Sequence, residues 1–369
     1  MHTELESLAD LDAHVAATGG LRHCAVKNLD LRTRDEQLAA VDVVGAVFLG
    51  SALGPATLAR AQHDRAVVFP SVDGLPFDPY RADLYTPDEL YAGHVFGEPG
   101  SYRRSLDARI DAWSAERSES DVVDVLYRRL HDHAISDALA EAIAGLDVVG
   151  VMGGHVLDRD DPGYRAVAEL GRALARARFL VVTGGGPGAM EAANLGAFCA
   201  PLDDTALDRS LGELAAAPSP EDIDGWLSTA ERVTRRWGSD CGPSIGIPTW
   251  HYGHEPPNRF ATRIAKYFEN SVREDGLLTI AEAGIVFTPG GAGTVQEIFQ
   301  DAAQNEYAEP GRASPMVFLG VDAWRVANPV YPLLEQLSAG SPAAAGLLLT
   351  DDVSEVIGAL VAHRDRKRR

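Results

Sequence analysis

The sequence predicts an α/β fold, in which a doubly wound, Rossmann-like parallel sheet is joined to an additional smaller N-terminal α/β domain. From about residue 145 onward, short apolar runs alternate with helical patterns, which is typical of a parallel sheet covered on both faces. Three of the apolar runs end in glycine-rich turns. Because such sheets bind ligands at the carboxyl ends of their strands, we expect these turns to meet at one edge.

The elements of the larger domain follow from the period of the apolar residues. Predicted strands cover 146–152, 179–183, 244–248, 283–288 and 315–321. Predicted helices cover 164–177, 189–196, 298–303, 330–337 and 353–362. A further helix is predicted to open at Asn258, with a helix-like segment at 264–268. An acidic stretch at 201–242 interrupts the alternation, and we interpret it as an inserted helical pair that can cover the site.

The first part of the chain is predicted to be a separate domain. Residues 1–115 form the small N-terminal α/β domain, with strands at 41–49 and 66–69 and short helices at 55–63 and 86–92. Residues 116–145 are predicted to be a connecting helical segment, and residues 146–369 the Rossmann-like nucleotide-binding catalytic domain. No internal repeat is evident in the sequence.

The composition limits the partners. The chain has 369 residues and a net charge of -21, which argues against nucleic acid or an anionic membrane as the main partner. Its three cysteines are widely spaced and form no CxxC pair, so we expect a cytoplasmic protein without a disulfide framework or structural zinc. No apolar run approaches the roughly 20 residues of a membrane span, and the N-terminus lacks the apolar core of a signal peptide.

The glycine turns are candidates for binding a phosphate. Glycine lets backbone N–H groups approach phosphate oxygens closely, and a helix N-terminus favours negative charge. Glycine is also common in α/β turns for steric reasons alone, so one cluster is weak evidence and three clusters at one edge are stronger. The candidate phosphate- or nucleotide-binding residues are Gly153, Gly154, Gly185, Gly186, Gly188, Gly290, Gly291, Gly293 and Thr294.

The turns do not match two common nucleotide motifs. The segment 291–294 is followed by valine rather than by the Lys-Ser/Thr of a Walker A sequence, which argues against a kinase or NTPase. The spacing Gly184-x-Gly186-x-Gly188 misses G-x-G-x-x-G, which disfavours a dehydrogenase. Glu297 lies in the first helical turn after the third cluster. A carboxylate there can cap the helix, or it can point into the pocket and act on a substrate.

The segments Pro289-Gly-Gly-x-Gly-Thr-x-x-Glu297 and Gly184-Gly-Gly-Pro-Gly-Ala-Met190 together resemble the motifs of the Lonely Guy family. Members of that family are phosphoribohydrolases of cytokinin riboside monophosphates, are often mislabelled lysine decarboxylases, and resemble bacterial nucleotide 5′-monophosphate nucleosidases. The resemblance covers about 145–360, and the chain is most similar to the longer bacterial type. It implies that Arg273 and Glu297 carry catalysis without a metal or organic cofactor, and that the chain forms a homo-oligomer built from dimers.

The implied chemistry suits these residue types. Cleaving an N-glycosidic bond builds positive charge on the ribose, which a carboxylate such as Glu297 can stabilise while it holds the ribose hydroxyls or orients water. Arg273 can fix that carboxylate or assist the leaving base; alternatively it forms a surface salt bridge with Glu269 or Glu274. The expected phosphate donors are the N–H groups of Gly291, Gly293 and Thr294.

Three further residues are candidate ligands of the nucleotide: Met190, Glu191 and Asn258. Met190 either packs in the core or lines the base pocket, and Glu191 either binds the ribose hydroxyls or is an ordinary first-turn acid. Asn258 ends an aromatic and polar loop that suits stacking and hydrogen bonding to a base. In that loop His251 and His254 either contact the ligand or have no such role, and their spacing does not define a metal site.

Two other functions are weighed against hydrolysis. A pyridoxal-phosphate decarboxylase needs a lysine for its internal aldimine, and the region of resemblance offers only Lys266. A non-catalytic nucleotide sensor or regulatory protein is the main alternative, because a fold alone does not imply chemistry. We expect hydrolysis of nucleoside 5′-monophosphates, AMP-like or cytokinin riboside monophosphate, with a small-molecule nucleotide as partner and neither nucleic acid nor membrane.

Overall fold

The computed structural model of the protein describes residues 3–117, 121–238, 240–251, 255–309 and 313–368. The chain divides into two compact units, Met1–Asp83 with Ser118–Ala138, and Leu84–Arg117 with Leu139–Arg369. Each unit contains a parallel sheet with helices between its strands. The predicted α/β class is therefore confirmed.

The first unit winds from strand to strand in sequence order. Within its described residues, four parallel strands lie in the order β1-β2-β3-β4. The elements are β1 (Thr3–Leu5), α1 (Leu8–Thr18), β2 (Cys24–Lys27), a 3-10 turn (Arg32–Arg34), α2 (Asp35–Ala39), β3 (Val47–Leu49), α3 (Pro55–His63) and β4 (Val67–Phe69). Thr3 lies opposite Cys24, Ala25 opposite Val47, and Val47 opposite Val67. Matching positions thus recur every roughly 20 residues, as in repeat proteins.

Successive strand-containing repeats of about 20 residues, each of which we call a turn of the first unit, bury side chains at matching positions. The buried pairs are Leu21 with Val43, Cys24 with Ala46, Val26 with Phe48, and Leu29 with Ser51. Ser51 Oγ donates to the backbone oxygen of Val26 at 3.1 Å and accepts from Leu29 N at 3.2 Å, so a hydroxyl joins two neighbouring turns. No repeat is evident in the sequence because only burial recurs at the matching positions, not the identity of the residues.

The second unit contains the doubly wound sheet. Among its described residues, seven parallel strands lie in the order β11-β10-β9-β5-β6-β7-β8. The strands are β5 (Val148–Met152), β6 (Leu180–Thr183), β7 (Ser244–Gly246), β8 (Arg263–Ile264), β9 (Gly284–Phe287), β10 (Met316–Leu319) and β11 (Leu347–Thr350). The order reverses between β5 and β9, which makes this the switch point where such sheets bind ligands.

Helices flank these strands along the chain. They are α4 (Pro87–Leu90), α5 (Leu106–Glu116), α6 (Val122–Ile143), α7 (Pro162–Arg176), α8 (Ala189–Phe198), α9 (Asp204–Leu214), α10 (Ile223–Trp237), α11 (Asn270–Ile280), α12 (Ala292–Glu306), α13 (Val330–Leu337) and α14 (Val353–Lys367). Short 3-10 turns occur at Ser101–Arg104 and Pro342–Gly346, and a π-helical turn at Ala323–Ala327. The division between the units falls within α6, and α9 and α10 form the helical stretch at 201–242.

The packing of α7 on α8 shows how the sequence builds this core. Asp161 caps α7 through a hydrogen bond from Gly163 N at 2.6 Å, and Pro162 occupies the first turn. The apolar face of α7 is buried. A methyl group on Gly171 would overlap the backbone of Ala193 in α8. The two helices therefore approach closely only because a glycine lies at the contact.

The segment 84–117, which the sequence analysis assigned to the N-terminal domain, belongs to the second unit. Tyr85 and Ile264 exchange backbone hydrogen bonds of 3.0 and 2.8 Å. Asp107 Oδ1 accepts from Lys266 Nζ at 2.7 Å, and both side chains are buried. These long-range contacts leave no local signal in the sequence.

The helix predicted to open at Asn258 and the helix-like segment predicted at 264–268 are both wrong. Residues 263 and 264 form β8, which pairs with β7 on one side, while Ile264 bridges to Tyr85 on the other. Hydrogen bonds to both neighbours stabilise the extended backbone more than local propensity stabilises a helix here. The predicted strands did not include β11, whose side chains are only partly buried.

Candidate functional site

A cavity of about 640 Å³ opens at the carboxyl ends of β5, β6 and β9. All three predicted glycine turns contribute to its wall, through Gly153, Gly154, Gly184, Gly291 and Gly293. The cavity therefore lies at the switch point between β5 and β9. The strand order brings together turns that are far apart in the sequence.

Four other predicted glycines hold the turns against one another. Gly185 has φ of +77° and lies against the backbone at Ile247, and Gly188 has φ of +71° and lies against Gly154. A methyl group on Gly290 would overlap the Thr294 side chain. Positive φ and close backbone contacts both exclude larger residues. The remaining glycine, Gly186, lies against the Glu255 carboxylate.

The N-terminus of α12 faces the cavity. Its cap residue, Gly291, provides no side-chain hydrogen bond, and residues 291–293 are exposed. A methyl group on Gly291 or Gly293 would meet no atom within 4 Å. The first N–H groups of a helix have no partner within the helix, so this end offers free donors and a positive dipole to an anion.

Arg273 and Glu297 meet in the cavity wall. Arg273 Nη1 lies 3.4 Å from Glu297 Oε1, and Arg273 Nε donates to the backbone oxygen of Ile247 at 2.8 Å. The two side chains are only 10% and 12% exposed. A methyl group on Gly184 would overlap the guanidinium, so the second glycine turn makes room for this pair. The predicted catalytic residues are thus in contact, and the partner of Arg273 is Glu297.

The surroundings of Glu297 favour its protonated form. Burial raises the pKa of the Glu297 carboxyl, and the nearby Arg273 guanidinium opposes that rise. The negative charges of Glu274 and Glu255 raise the pKa of this carboxyl further. A carboxyl in this environment exchanges a proton closer to neutral pH than an exposed glutamate does.

Asn258 supports the second glycine turn. Its side chain is fully buried, and Nδ2 donates to Gly185 O at 3.0 Å and to Asn194 Oδ1 at 2.9 Å. Its Oδ1 accepts from the backbone N–H groups of Phe260 and Ala261, both at 3.1 Å. The amide is therefore occupied by the protein itself. The structure gives Asn258 a positioning role in place of the predicted contact with a base.

Glu191 is a structural residue, contrary to its prediction as a ribose ligand. Its side chain is fully buried and accepts from Arg159 Nε at 2.9 Å and Nη2 at 2.5 Å. Arg159 Nη1 also donates to Ala217 O, Trp226 O and Thr229 Oγ1. A buried carboxylate needs such a partner because its desolvation is costly. First-turn position alone could not distinguish this role from ligand binding.

Met190 lines the cavity and is only 7% exposed, and its contact with a base stays a prediction. In the loop after β7, Thr249, Glu255 and Pro256 also line it. His251 N donates to Thr249 Oγ1 at 3.0 Å, and His254 lies outside the described residues. The loop thus contributes to the cavity through Thr249, Glu255 and Pro256.

Lys266 is unsuited to hold an aldehyde cofactor. Its ammonium group is buried, donates to Asp107 and to the backbone oxygen of Glu255, and lies 5.0 Å from the ring centre of Trp250. An amino group that is buried and bonded to fixed partners is not free to reach and attack an aldehyde carbon. These contacts agree with the expectation that the chain is not a pyridoxal-phosphate decarboxylase.

Several polar residues of the lining were not predicted as site residues, among them Glu255, Asn270 and Glu274. Asn270, Arg273 and Glu274 lie three and four residues apart on α11, so they share one helix face. That spacing was visible in the sequence and marks residues on the same face as the predicted arginine.

The described residues contain no helix that is both long and apolar enough to cross a lipid bilayer. No curated protein is significantly similar to the chain. Among solved structures, the molybdenum cofactor carrier protein of Chlamydomonas reinhardtii is 17% identical, with 60% of this chain and 99% of that chain covered and a TM-score of 0.38. The molybdenum cofactor binding protein of the phototrophic bacterium Rippkaea orientalis is 16% identical, with coverages of 59% and 98% and a TM-score of 0.37.

The family comparison matches one part of the second unit. Residues 147–200 match the SLOG cluster4 family. This segment contains β5, α7, β6 and α8, and with them the first two glycine turns of the cavity. Over these residues the chain is similar to the SLOG cluster4 family.

Proposed function

We propose that the protein hydrolyses the N-glycosidic bond of a nucleoside 5′-monophosphate and gives a free base and ribose 5-phosphate. The observation that carries the proposal is the buried Arg273–Glu297 pair, which shares its cavity with the uncapped N-terminus of α12. The carboxylate suits a reaction in which positive charge develops, and the helix end suits a phosphate.

The spacing of these two features fits a ribose 5-phosphate. Glu297 follows Gly293 by four residues, which corresponds to about 6 Å along a helix axis. A ribose spans a distance of this order between its 5′-phosphate and C1′. A phosphate bound by the first N–H groups of α12 therefore brings C1′ close to Glu297.

In the proposed reaction, Glu297 acts at the ribose and Arg273 acts through Glu297. As the bond between C1′ and the base nitrogen breaks, the electron pair leaves with the base and positive charge develops on the ribose. The Glu297 carboxylate stabilises that charge and accepts a proton from the attacking water, while the departing base takes up a proton from solvent. The bond from Arg273 to Ile247 O keeps the guanidinium, and hence the carboxylate, in place.

The test is release of free base from AMP, GMP, CMP, UMP, IMP and a cytokinin riboside monophosphate. Glu297→Gln keeps the size of the side chain but removes its charge, so we expect kcat to fall by about a hundredfold or more. Glu169→Gln is the matched control, because Glu169 is an exposed residue on α7 with an ion pair to Arg165. The control should release base at the wild-type rate.

The outcome separates an enzyme from a binding protein. Base release that Glu297→Gln abolishes and Glu169→Gln retains would support hydrolysis and rank the substrates. Tight nucleotide binding without release from any substrate would instead support the nucleotide sensor.

Two parts of the proposal follow from the family resemblance alone, namely assembly from dimers and chemistry without a metal or organic cofactor. Sedimentation equilibrium of the purified chain tests the first, and a monomer at micromolar concentration would remove it. Base release after dialysis against a chelator tests the second. Loss of release that a metal ion restores would contradict that part.

A further inference from the structure

We infer that the base subsite of the cavity prefers an N-ribosylated base that carries a positive charge, such as a pyridinium, over a neutral nucleobase. The inference rests on the proposed function and deepens it by naming the class of base. Its basis is the imbalance of charge in the cavity, together with an unpartnered amide beside it.

The cavity is lined by more carboxylates than cations. The carboxylates are those of Glu221, Glu255, Glu274 and Glu297. The basic side chains of the described lining are Arg273 and the exposed His155. Arg273 already bonds to Glu297 and to a backbone oxygen, so it leaves the other carboxylates without a balancing charge.

The base subsite lies in the part of the cavity next to β6, away from the phosphate at the N-terminus of α12. In the strand order β9-β5-β6, the turn after β9 begins α12 and the turn after β6 is two strands away. Neighbouring strands are about 4.8 Å apart, so these turns are separated by roughly 10 Å. A nucleotide with its phosphate at α12 and its ribose at Glu297 therefore extends its base toward Gly186, against which the Glu255 carboxylate lies.

Glu255 is the carboxylate that faces this end. Its Oε1 lies against Gly186, where a methyl group would overlap it. Among the described residues its carboxylate has no hydrogen bond or ion pair. Its charge also contributes to the raised pKa of Glu297, so its field reaches the reaction centre. A neutral base would desolvate Glu255 without compensation, whereas a cationic ring would neutralise it.

Asn270 supplies a second, independent feature. Its residue is 6% exposed, it lines the cavity, and its side-chain amide has no hydrogen-bond partner among the described residues. An amide that faces the cavity can donate a hydrogen bond to a ligand and accept one from it. It lies on the same face of α11 as Glu274, which Gln296 Nε2 contacts at 2.8 Å. The cavity therefore offers negative charge together with an amide donor and acceptor.

A cationic base also simplifies the leaving-group step. When the C1′–N bond of an N-ribosylpyridinium breaks, the electron pair passes to the ring nitrogen and leaves a neutral pyridine. Water adds to C1′ and releases one proton, first to Glu297 and then to solvent. The base takes up no proton, so the cavity needs no general acid beside it.

The test compares two ligands of nearly the same shape, nicotinamide mononucleotide and its 1,4-dihydro form, which lacks the ring charge. Their affinities are measured by calorimetry on the full-length Glu297→Gln protein, which should not turn them over. We expect the cationic form to bind at least tenfold more tightly. Adding Glu255→Gln should reduce this ratio severalfold, whereas adding Glu169→Gln should leave it unchanged.

Equal affinity for the two forms, or a ratio that Glu255→Gln does not alter, would overturn the inference. Release of base by the wild-type protein is measured in parallel from nicotinamide mononucleotide and from AMP. A charge preference in binding without any base release would refute the proposed function alone. Base release from AMP without a charge preference would refute this inference alone.

Discussion

Replacing Glu191 by glutamine tests whether this carboxylate belongs to the fold rather than to the ligand site. Glu191 and Arg159 are both buried, at 0% and 3% exposure, and are joined by two hydrogen bonds of 2.9 and 2.5 Å. Glutamine keeps one acceptor but turns an amide donor toward the guanidinium. The variant therefore loses a charge-assisted bond and leaves a buried arginine without a counter-charge.

The expected cost is about 3 kcal/mol of the free energy of unfolding. Removing one partner of a buried ion pair typically costs 3–5 kcal/mol, and the lower end applies here. The reason is that Arg159 keeps its bonds to Ala217 O, Trp226 O and Thr229 Oγ1. Glu169→Gln should cost less than about 1 kcal/mol, because its ion pair is exposed.

Urea denaturation followed by tryptophan fluorescence measures both variants, because the five tryptophans lie in the second unit, as do Glu191 and Glu169. Nucleotide affinity is measured below the transition, where the variant is folded. A loss of less than about 1 kcal/mol for Glu191→Gln would refute the structural role, because that role predicts a loss of about 3 kcal/mol. A folded variant with strongly weakened nucleotide binding would favour the original prediction of a ribose ligand.

Three further predictions concern the cavity and α12. Gly188→Ala should lower the free energy of unfolding by about 2 kcal/mol or more, because Gly188 has φ of +71° and backbone atoms of Gly154 and His155 occupy the space of a methyl group. A methyl group on Gly293 meets no atom, so Gly293→Ala should be neutral or stabilising in the same urea assay. Burial raises the pKa of Asp301 to about 8, so the folded state binds its proton more tightly than the unfolded state, and this contribution is lost as pH rises from about 4 through 8. Asp301→Asn should therefore have a higher free energy of unfolding than wild type at pH 9, by about 1 kcal/mol or more, and a similar one at pH 4. Equal free energies of unfolding at pH 9 would contradict this prediction. Finally, the acid limb of the pH–rate profile of base release should follow the raised pKa of Glu297. This limb should shift to lower pH in Glu255→Gln, because the substitution removes a negative charge that raises the pKa of Glu297. An unchanged acid limb would show that Glu255 is too distant to affect Glu297.

The elements that the sequence predicted well are those with a strong local signal. The strand at 180–183, the glycine turn and α8 follow one another without interruption, so apolar period and turn residues suffice to find them. Convergence of the three turns follows from the general rule for parallel sheets. Elements stabilised by distant partners were missed, as β8 shows, since its backbone is paired on both sides by residues remote in sequence.

The same distinction applies to the candidate site. Arg273 and Glu297 could be named from motifs, and the structure brings them into contact. Asn258 and Glu191 have the residue types of ligands, but their side chains are occupied by partners that no local pattern reveals. Whether a polar group is free or already bonded depends on three-dimensional neighbours, which a single sequence does not give.

The sequence-ordered winding of the first unit bears on how its length can change. Each turn contacts mainly the turn before and the turn after it, as the strand order β1-β2-β3-β4 shows. A whole turn of about 20 residues could therefore be duplicated or deleted during evolution, and the remaining turns would keep their neighbours. The doubly wound sheet has no such freedom, because β5 and β9 are adjacent in space but separated by much of the chain. The two units of one polypeptide thus differ in how readily they tolerate insertion and loss.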